Sequence, residues 1–188
     1  MSNAYDILAE RGFVYQVTDE VGLRETLERP ITLYCGYDVT SDSLQVGNLV
    51  TVMMLAHMQH AGHRPIALVG GGTTLVGDPS GKTQSRPILS KEQVRANEGF
   101  IKAQLERFLD FGEGRALMLN NADWLTKLNY IDFLREIGSH FSVNEMLAAE
   151  AYRQRLETGL SFLEFNYRLL QAYDYLYQFR HYDCVLQV

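Results

Sequence analysis

The chain has 188 residues, of which 46% are hydrophobic, so it can bury the core of one domain and is not expected to be disordered. Its net charge of -6 argues against a globally basic surface for nucleic acid and allows only a local basic patch. No apolar run approaches the roughly 20 residues of a membrane span, and the charged N-terminal stretch lacks the apolar core of a signal peptide. Cys35 and Cys184 lie far apart without metal-type spacing. We therefore expect a reduced, cytoplasmic protein with no membrane partner and no metal site.

Hydrophobic periodicity predicts strands that alternate with helices, which is typical of an α/β fold with a mainly parallel sheet. Residues 31–38 (ITLYCGYD) are rich in β-branched and aromatic side chains and are predicted to form the first strand. The helix that follows should end at Gly62 and bury one face, formed by Leu49, Val52, Met53 and Ala56. Residues 65–69 (PIALV) then match a buried parallel strand.

The same alternation continues after the second strand. A long polar loop at residues 70–89 precedes a helix that is capped by Ser90 and whose apolar positions run to Phe111. A third strand is predicted within ALMLNNADW, two or three helices follow, and DCVLQV is predicted to be a strand. Because ligand sites of parallel sheets lie at the carboxyl ends of the strands, the loops after the first two strands should line one crevice.

The stretch VGDPSGKT in the 70–89 loop invites comparison with a phosphate-binding P-loop. Its glycine spacing is one residue short and Pro79 removes a backbone donor, so a P-loop NTPase is disfavoured. Lys82 and Arg86, four residues apart, could instead clamp a polyanion, and Asp78 could bind an ammonium group. The alternative is a solvated loop without a function, although long loops of this composition are more often functional.

Two further patterns suggest a binding site. In DSLQVGN, Gln45 and Asn48 offer amide donors at the positive end of a helix, and Gly47 permits close approach to the backbone. In EFNYRLLQAYD, Tyr167, Gln171 and Asp174 share one helix face, which suggests a polar pocket for a small zwitterion. The alternatives are a capped surface helix in the first case and separately satisfied boundary residues in the second.

Five blocks in order, YCGYDVTSDSLQVGNLVT, HRPIALVGGGTTLVGDPSGK, NNADW, IGSHFSVNEML and SFLEFNYRLLQAYD, resemble the catalytic domain of bacterial tyrosyl-tRNA synthetases, a family of class I aminoacyl-tRNA synthetases. The resemblance covers essentially the whole chain. It implies a Rossmann-like nucleotide-binding fold with a helical insertion, truncated before its C-terminal half and its tRNA-binding domain. The implied parts are an N-terminal helical segment (residues 1–30), the first βα half of the nucleotide fold (31–119), and a helical connective and dimer-interface region with the following strand (120–188).

The resemblance also implies a binding site for L-tyrosine. Tyr34 and Asp174 would hydrogen-bond the phenol hydroxyl, while Asp78, Tyr167 and Gln171 would bind the α-ammonium group. Asn121 falls near the same pocket.

For ATP, the resemblance implies adenylate contacts at five positions and phosphate contacts at five more. The adenylate positions are Cys35, Gly36, Asp38, Gly47 and Thr51. The catalytic positions are Thr40, Gln45, Asn48, Lys82 and Arg86, of which Lys82 and Arg86 would hold pyrophosphate. Mg-ATP would be a substrate rather than a tightly bound cofactor, and the products would be tyrosyl-adenylate and then tyrosyl-tRNA(Tyr). A homodimer is implied, so Phe133, Phe141 and Phe162 are expected either to face a partner subunit or to be ordinary core aromatics.

The chain departs from the family pattern at the helix signature, where His-x-Gly-His is replaced by QVGN. The family's second signature, which is rich in lysine, would lie beyond Val188. A non-catalytic tyrosine-binding or dimerising relative therefore remains an alternative to an enzyme, and tryptophan remains the alternative amino acid.

Overall fold

A parallel four-stranded sheet organises the chain. The computed structural model describes residues 3–76, 89–149, 152–153, 156 and 159–188. The strands are β1 (Thr32–Tyr37), β2 (Arg64–Val69), β3 (Leu117–Asn120) and β4 (Cys184–Gln187), in the order β3-β2-β1-β4. Every pairing between neighbouring strands is parallel, which confirms the predicted α/β fold and its mainly parallel sheet.

Helices connect and cover these strands. In the described part of the chain they are α1 (Ala4–Glu10), α2 (Glu20–Thr26), α3 (Val46–His60), α4 (Gly71–Thr74), α5 (Lys91–Leu105), α6 (Ala122–Leu125), α7 (Tyr130–Glu136), α8 (Val143–Ala148) and α9 (Phe162–Tyr182), with a 3-10 turn at Gly138–His140. None of these helices is both long and apolar enough to cross a membrane.

The two faces of the sheet bury separate clusters. On one face, Leu33, Cys35 and Tyr37 of β1 pack in the larger core cluster, to which α1, α3 and α5 contribute buried residues. On the other face, Tyr34 packs with Ile66, Leu68, Trp124 and Cys184 and with partly buried tyrosines of α9. Since successive residues of a strand point to opposite faces, β1 supplies both layers. Burial on both faces explains why β1 and β2 are apolar almost throughout.

Several predicted elements differ in detail from the structure. The end of α3 is close to the prediction, because Gly62 has a φ of +92° just after the helix. The predicted burial of Leu49 is wrong, since its relative exposure is 41%, and Leu55 lies in the core instead. The α3 sequence is apolar on nearly every side, so its period does not define a single face.

The loop prediction was also incomplete. Gly71–Thr74 form a helical turn within the 70–89 segment, and residues 77–88 lie outside the described part of the chain. Helix α5 begins with a capping box between Ser90 and Gln93, as the predicted cap at Ser90 requires, but it ends at Leu105 and does not continue to Phe111.

Strand order identifies where a ligand would bind. The chain proceeds outward from β1 to β2 and β3, and β4 then pairs on the opposite side of β1. The order therefore reverses between β1 and β4, which is the topological switch point at which open α/β sheets bind ligands.

Candidate active site

A polar cavity of about 390 Å³ opens at this switch point. It lies at the carboxyl ends of the strands and is within the size range of small-molecule sites. Many predicted site residues line it together: Tyr34, Cys35, Gly36, Asp38, Thr40, Gln45, Asn48, Asn121, Tyr167, Gln171 and Asp174. Gly47 and Thr51 are not among its lining residues. Asp78, Lys82 and Arg86 lie outside the described residues, so their roles stay predictions.

One stripe of α9 supplies three of these side chains. Ser161 caps the helix through a reciprocal pair with Glu164, which fixes where the helical register begins. Tyr167, Gln171 and Asp174 then follow at i, i+4 and i+7 and all line the cavity, as predicted from their spacing.

Asp174 is a buried carboxylate with a relative exposure of 3%. Its Oδ2 accepts from Asn121 Nδ2 and its Oδ1 accepts from Trp124 Nε1, each at 2.8 Å. Burial raises the pKa of Asp174 to about 6, although these two hydrogen bonds favour the ionised form. The carboxylate is therefore held in place by two donors and remains mainly ionised at neutral pH.

Asn121 connects Asp174 to helix α4. Its Oδ1 accepts from Gly72 N at 2.7 Å, and its Nδ2 also donates to Thr73 Oγ1 at 3.0 Å. A Cβ at Gly71 would collide with the side chain of Asn120. The close packing of residues 71–73 against residues 120–121 thus positions the amide that holds Asp174.

Tyr34 presents an unsatisfied hydroxyl at the cavity. Its relative exposure is 2%, and its Oη has no hydrogen-bond partner among the described residues. Burial, with the nearby charge of Asp174, raises the pKa of Tyr34, so the hydroxyl stays protonated. A buried hydroxyl without a partner costs free energy, which a polar group of a ligand would recover.

The N-terminus of α3 forms the opposite side of the cavity. Gln45 is the N-cap residue, and Asn48 Oδ1 accepts from Gln45 N at 2.9 Å. With its oxygen so engaged, Asn48 retains an amide donor group beside the positive end of the helix dipole. Thr51 Oγ1 donates to Asn48 O at 2.9 Å, so Thr51 stabilises this turn without lining the cavity. A Cβ at Gly47 would meet nothing within 4 Å, so the backbone there is open to a ligand.

Sequence reasoning missed some residues of the site. Tyr37, Ser41, Ser43, Leu68, Thr73 and Gln187 also line the cavity. Trp124 was quoted only as part of NNADW, yet a buried indole requires an acceptor, and a nearby carboxylate is the obvious one. No cluster of His, Cys, Asp or Glu suited to a metal ion occurs among the residues that the structure describes.

A parallel α/β sheet with a polar cavity at its switch point defines a Rossmann-like fold whose cavity lies where such folds bind small molecules. The family model described as tRNA synthetases class I (W and Y) matches residues 25–187, and the chain belongs to this family. The resemblance noted in the sequence blocks is thereby confirmed.

Curated relatives are similar over the whole chain. A tyrosine–tRNA ligase of Syntrophus aciditrophicus is 57% identical over 188 residues, which are 100% of this chain and 44% of that protein. A tyrosine–tRNA ligase of Clostridium botulinum is 58% identical over 189 residues, 100% of this chain and 46% of that protein. The chain thus spans less than half the length of these relatives.

Solved structures share the fold. A C-terminally truncated mitochondrial tyrosyl-tRNA synthetase of Aspergillus nidulans superposes with a TM-score of 0.88 at 29% identity, covering 100% of this chain and 56% of that one. A tyrosyl-tRNA synthetase of Archaeoglobus fulgidus complexed with L-tyrosine has a TM-score of 0.72 at 18% identity, covering 99% of this chain and 54% of that one. At that identity the second match supports the fold alone.

Proposed function

We propose that these residues form the tyrosine- and ATP-binding part of a tyrosine–tRNA ligase, which makes tyrosyl-adenylate from L-tyrosine and Mg-ATP and then charges tRNA(Tyr). The observation that carries this proposal is the pair formed by Tyr34 and Asp174 in one cavity. A phenol hydroxyl bound there donates to the fixed carboxylate of Asp174 and accepts from the unpaired hydroxyl of Tyr34. Phenylalanine would leave the Tyr34 hydroxyl buried without a partner and would give Asp174 no donor beyond Asn121 and Trp124, which is the physical basis for rejecting it.

The rest of the tyrosine molecule is bound by α9 and its neighbours. Tyr167 and Gln171 lie about two turns and one turn before Asp174 on the same stripe, where they bind the α-ammonium group together with Asp78. Asn121 lines the same cavity and keeps Asp174 in place.

ATP binds across the N-terminus of α3. Cys35, Gly36 and Asp38 at the end of β1, with Gly47 and Thr51, contact the adenylate. Thr40, Gln45, Asn48, Lys82 and Arg86 stabilise the charge that develops on the phosphates. The tyrosine carboxylate attacks the α-phosphate and pyrophosphate leaves, so catalysis needs positioning and charge stabilisation but no nucleophile from the protein. Mg²⁺ arrives with ATP, and no tightly bound cofactor takes part.

The protein acts in the cytoplasm as a homodimer. Support for an interface comes from apolar side chains on α7 to α9, where Phe162 has a relative exposure of 70% and Ile131 of 68%. Phe133 and Phe141 are half-buried. Phe162→Asp should convert the dimer to a monomer in sedimentation equilibrium, and a monomeric unaltered protein would contradict this part of the proposal.

Equilibrium dialysis of the purified protein with labelled L-tyrosine tests the substrate. We expect saturable binding that a tenfold excess of L-phenylalanine does not displace, because phenylalanine cannot satisfy Tyr34 and Asp174. Displacement of the label by L-tryptophan at lower concentrations than unlabelled L-tyrosine requires would assign the site to the other amino acid of the family. Absence of any binding to folded protein would contradict the proposal.

Gly47→Ala tests the ATP half of the proposal. A Cβ there meets no protein atom, so the variant should be as stable as the unaltered protein or more so by about 0.5–1 kcal/mol. If adenine lies against this backbone, the affinity for Mg-ATP falls while the tyrosine affinity is unchanged. In a version that has the full length of its relatives, tyrosine binding without adenylate formation, even after Gln45→His and Asn48→His, would favour the non-catalytic relative.

A further inference from the structure

The segment between β1 and α3, residues 38–44, carries part of the cavity wall without regular secondary structure. Asp38, Thr40, Ser41, Ser43 and Leu44 all line the cavity. Backbone polar groups in such a segment need partners outside a helix or strand ladder, and their partners determine where the segment lies.

Helix α5 provides these partners through two amide side chains. Asn97 Nδ2 donates to Val39 O at 2.8 Å. Gln104 Oε1 accepts from Leu44 N at 3.0 Å, and Gln104 Nε2 donates to Asp42 O at 3.2 Å. The segment is thus bound near its beginning by one amide and near its end by the other.

The two amides lie on one face of α5. Asn97 and Gln104 are seven residues apart, which is two helical turns and roughly 10 Å along one face of α5. Val94, Ile101 and Leu105 are buried in the core, so the helix that carries the amides is itself firmly anchored. Val39 N also donates to Thr74 Oγ1 at 3.3 Å, so helix α4 holds the beginning of the segment as well.

We propose that Asn97 and Gln104 are positioning residues for ATP, which hold residues 38–44 so that Thr40 and the hydroxyls beside it face the phosphates. Neither amide lines the cavity, so both act through the segment and contact no substrate. This inference rests on the proposed function. It extends that function to a helix outside the cavity. It also explains why two half-buried positions of α5 carry amides that bond to backbone. Displacing a binding group by about 1 Å is enough to reduce a rate by up to ~100-fold.

Gln104→Ala and Asn97→Ala, each measured by titration calorimetry with Mg-ATP and with L-tyrosine, test the proposal. We expect the ATP affinity to fall about tenfold, the equivalent of losing one or two hydrogen bonds. The tyrosine affinity should change by less than about twofold, because the tyrosine contacts are on β1 and α9. Lys102→Ala is the matched control, since this exposed residue of the same helix makes, among the described residues, only a 3.9 Å ion pair with Glu106.

Gln104→Glu separates positioning from general damage to the fold. It keeps the acceptor for Leu44 N and loses the donor to Asp42 O and Phe100 O, so it should recover part of the ATP affinity. Hydrogen exchange at the Leu44 amide should accelerate in Gln104→Ala but not in Gln104→Glu. If Gln104→Ala does not fold, Asn97→Ala and Gln104→Glu carry the same comparison.

The outcomes distinguish this inference from the proposed function. Suppose that the unaltered protein binds both tyrosine and ATP. Alanine variants that keep full ATP affinity, or that lose both affinities equally, then overturn the positioning role and leave the proposed function intact. Unaltered protein that binds neither ligand overturns the function itself, and the inference with it.

Discussion

Trp124 donates its indole N–H to Asp174 Oδ1 at 2.8 Å while its ring stacks on Tyr177 with centroids 4.3 Å apart. The stack fixes the plane of the indole, and the indole fixes the carboxylate. Tyr177 in turn stacks on His181, one turn further along α9. A row of aromatic rings near the surface therefore determines the orientation of the buried charge in the cavity.

Trp124→Phe should lower the free energy of unfolding by about 1.5–3 kcal/mol at pH 8, because it deletes a hydrogen bond to an ionised group. The loss should be smaller at pH 5, where Asp174 is mostly protonated. Urea denaturation at the two pH values measures both. Tyr177→Phe preserves the stack and serves as the control, so its effect on stability should be small and the same at both pH values. A loss in Trp124→Phe that is equal at pH 5 and pH 8 would show that packing rather than the indole N–H matters.

Asp174→Asn should alter how stability depends on pH. The pKa of Asp174 is raised to about 6 in the folded chain, so the folded state binds the proton more tightly than the unfolded state does. Its contribution to stability is therefore largest below about pH 4 and is lost as the pH rises through 6. Relative to the unaltered protein, Asp174→Asn should gain up to about 3 kcal/mol between pH 4 and pH 7, as measured by denaturation at a series of pH values. A difference that is constant over this range would mean that the pKa of Asp174 is not raised.

Tyr34→Phe should separate stability from binding. Removing a buried hydroxyl that has no partner should raise the free energy of unfolding by about 1 kcal/mol. The same change removes a hydrogen bond to the phenol, so the tyrosine affinity should fall about tenfold. Thermal unfolding and calorimetry on one preparation give both values. A variant that is less stable without ligand would show that the hydroxyl already has a partner.

Gly71→Ala and Gly99→Ala form a matched pair. A Cβ at Gly71 collides with Asn120, whereas a Cβ at Gly99, inside α5, meets nothing within 4 Å. We expect Gly71→Ala to lose about 1–3 kcal/mol of stability through overpacking and to weaken tyrosine binding through the neighbouring Asn121. Gly99→Ala should gain about 0.5–1 kcal/mol from helix propensity alone. Similar effects at both positions would contradict the close packing of residues 70–72.

Sequence patterns predicted the features that depend on residues close together in the chain. The Ser90 cap depends on neighbours within one turn, and the stripe of Tyr167, Gln171 and Asp174 depends only on helical period, so both could be recognised in the sequence. The partners of Asp174 could not, because Asn121 and Trp124 lie 53 and 50 residues away in sequence. The helical turn at Gly71–Thr74 was also missed, since residues that disfavour helix are held there by a tertiary hydrogen bond from Gly72 N to Asn121.

The central position of β1 has a consequence for how the protein is made. Thr32 pairs with Arg64 on one side and with Cys184 on the other, so its second neighbour is synthesised long after the first. While the ribosome adds the residues between them, β1 has one edge unpaired and the ring of Tyr34 lacks its cover from α9. Pairings so distant in sequence form slowly, and open strand edges attract other chains. The same strand order that creates the ligand cavity thus makes the nascent chain prone to aggregation until β4 has been added.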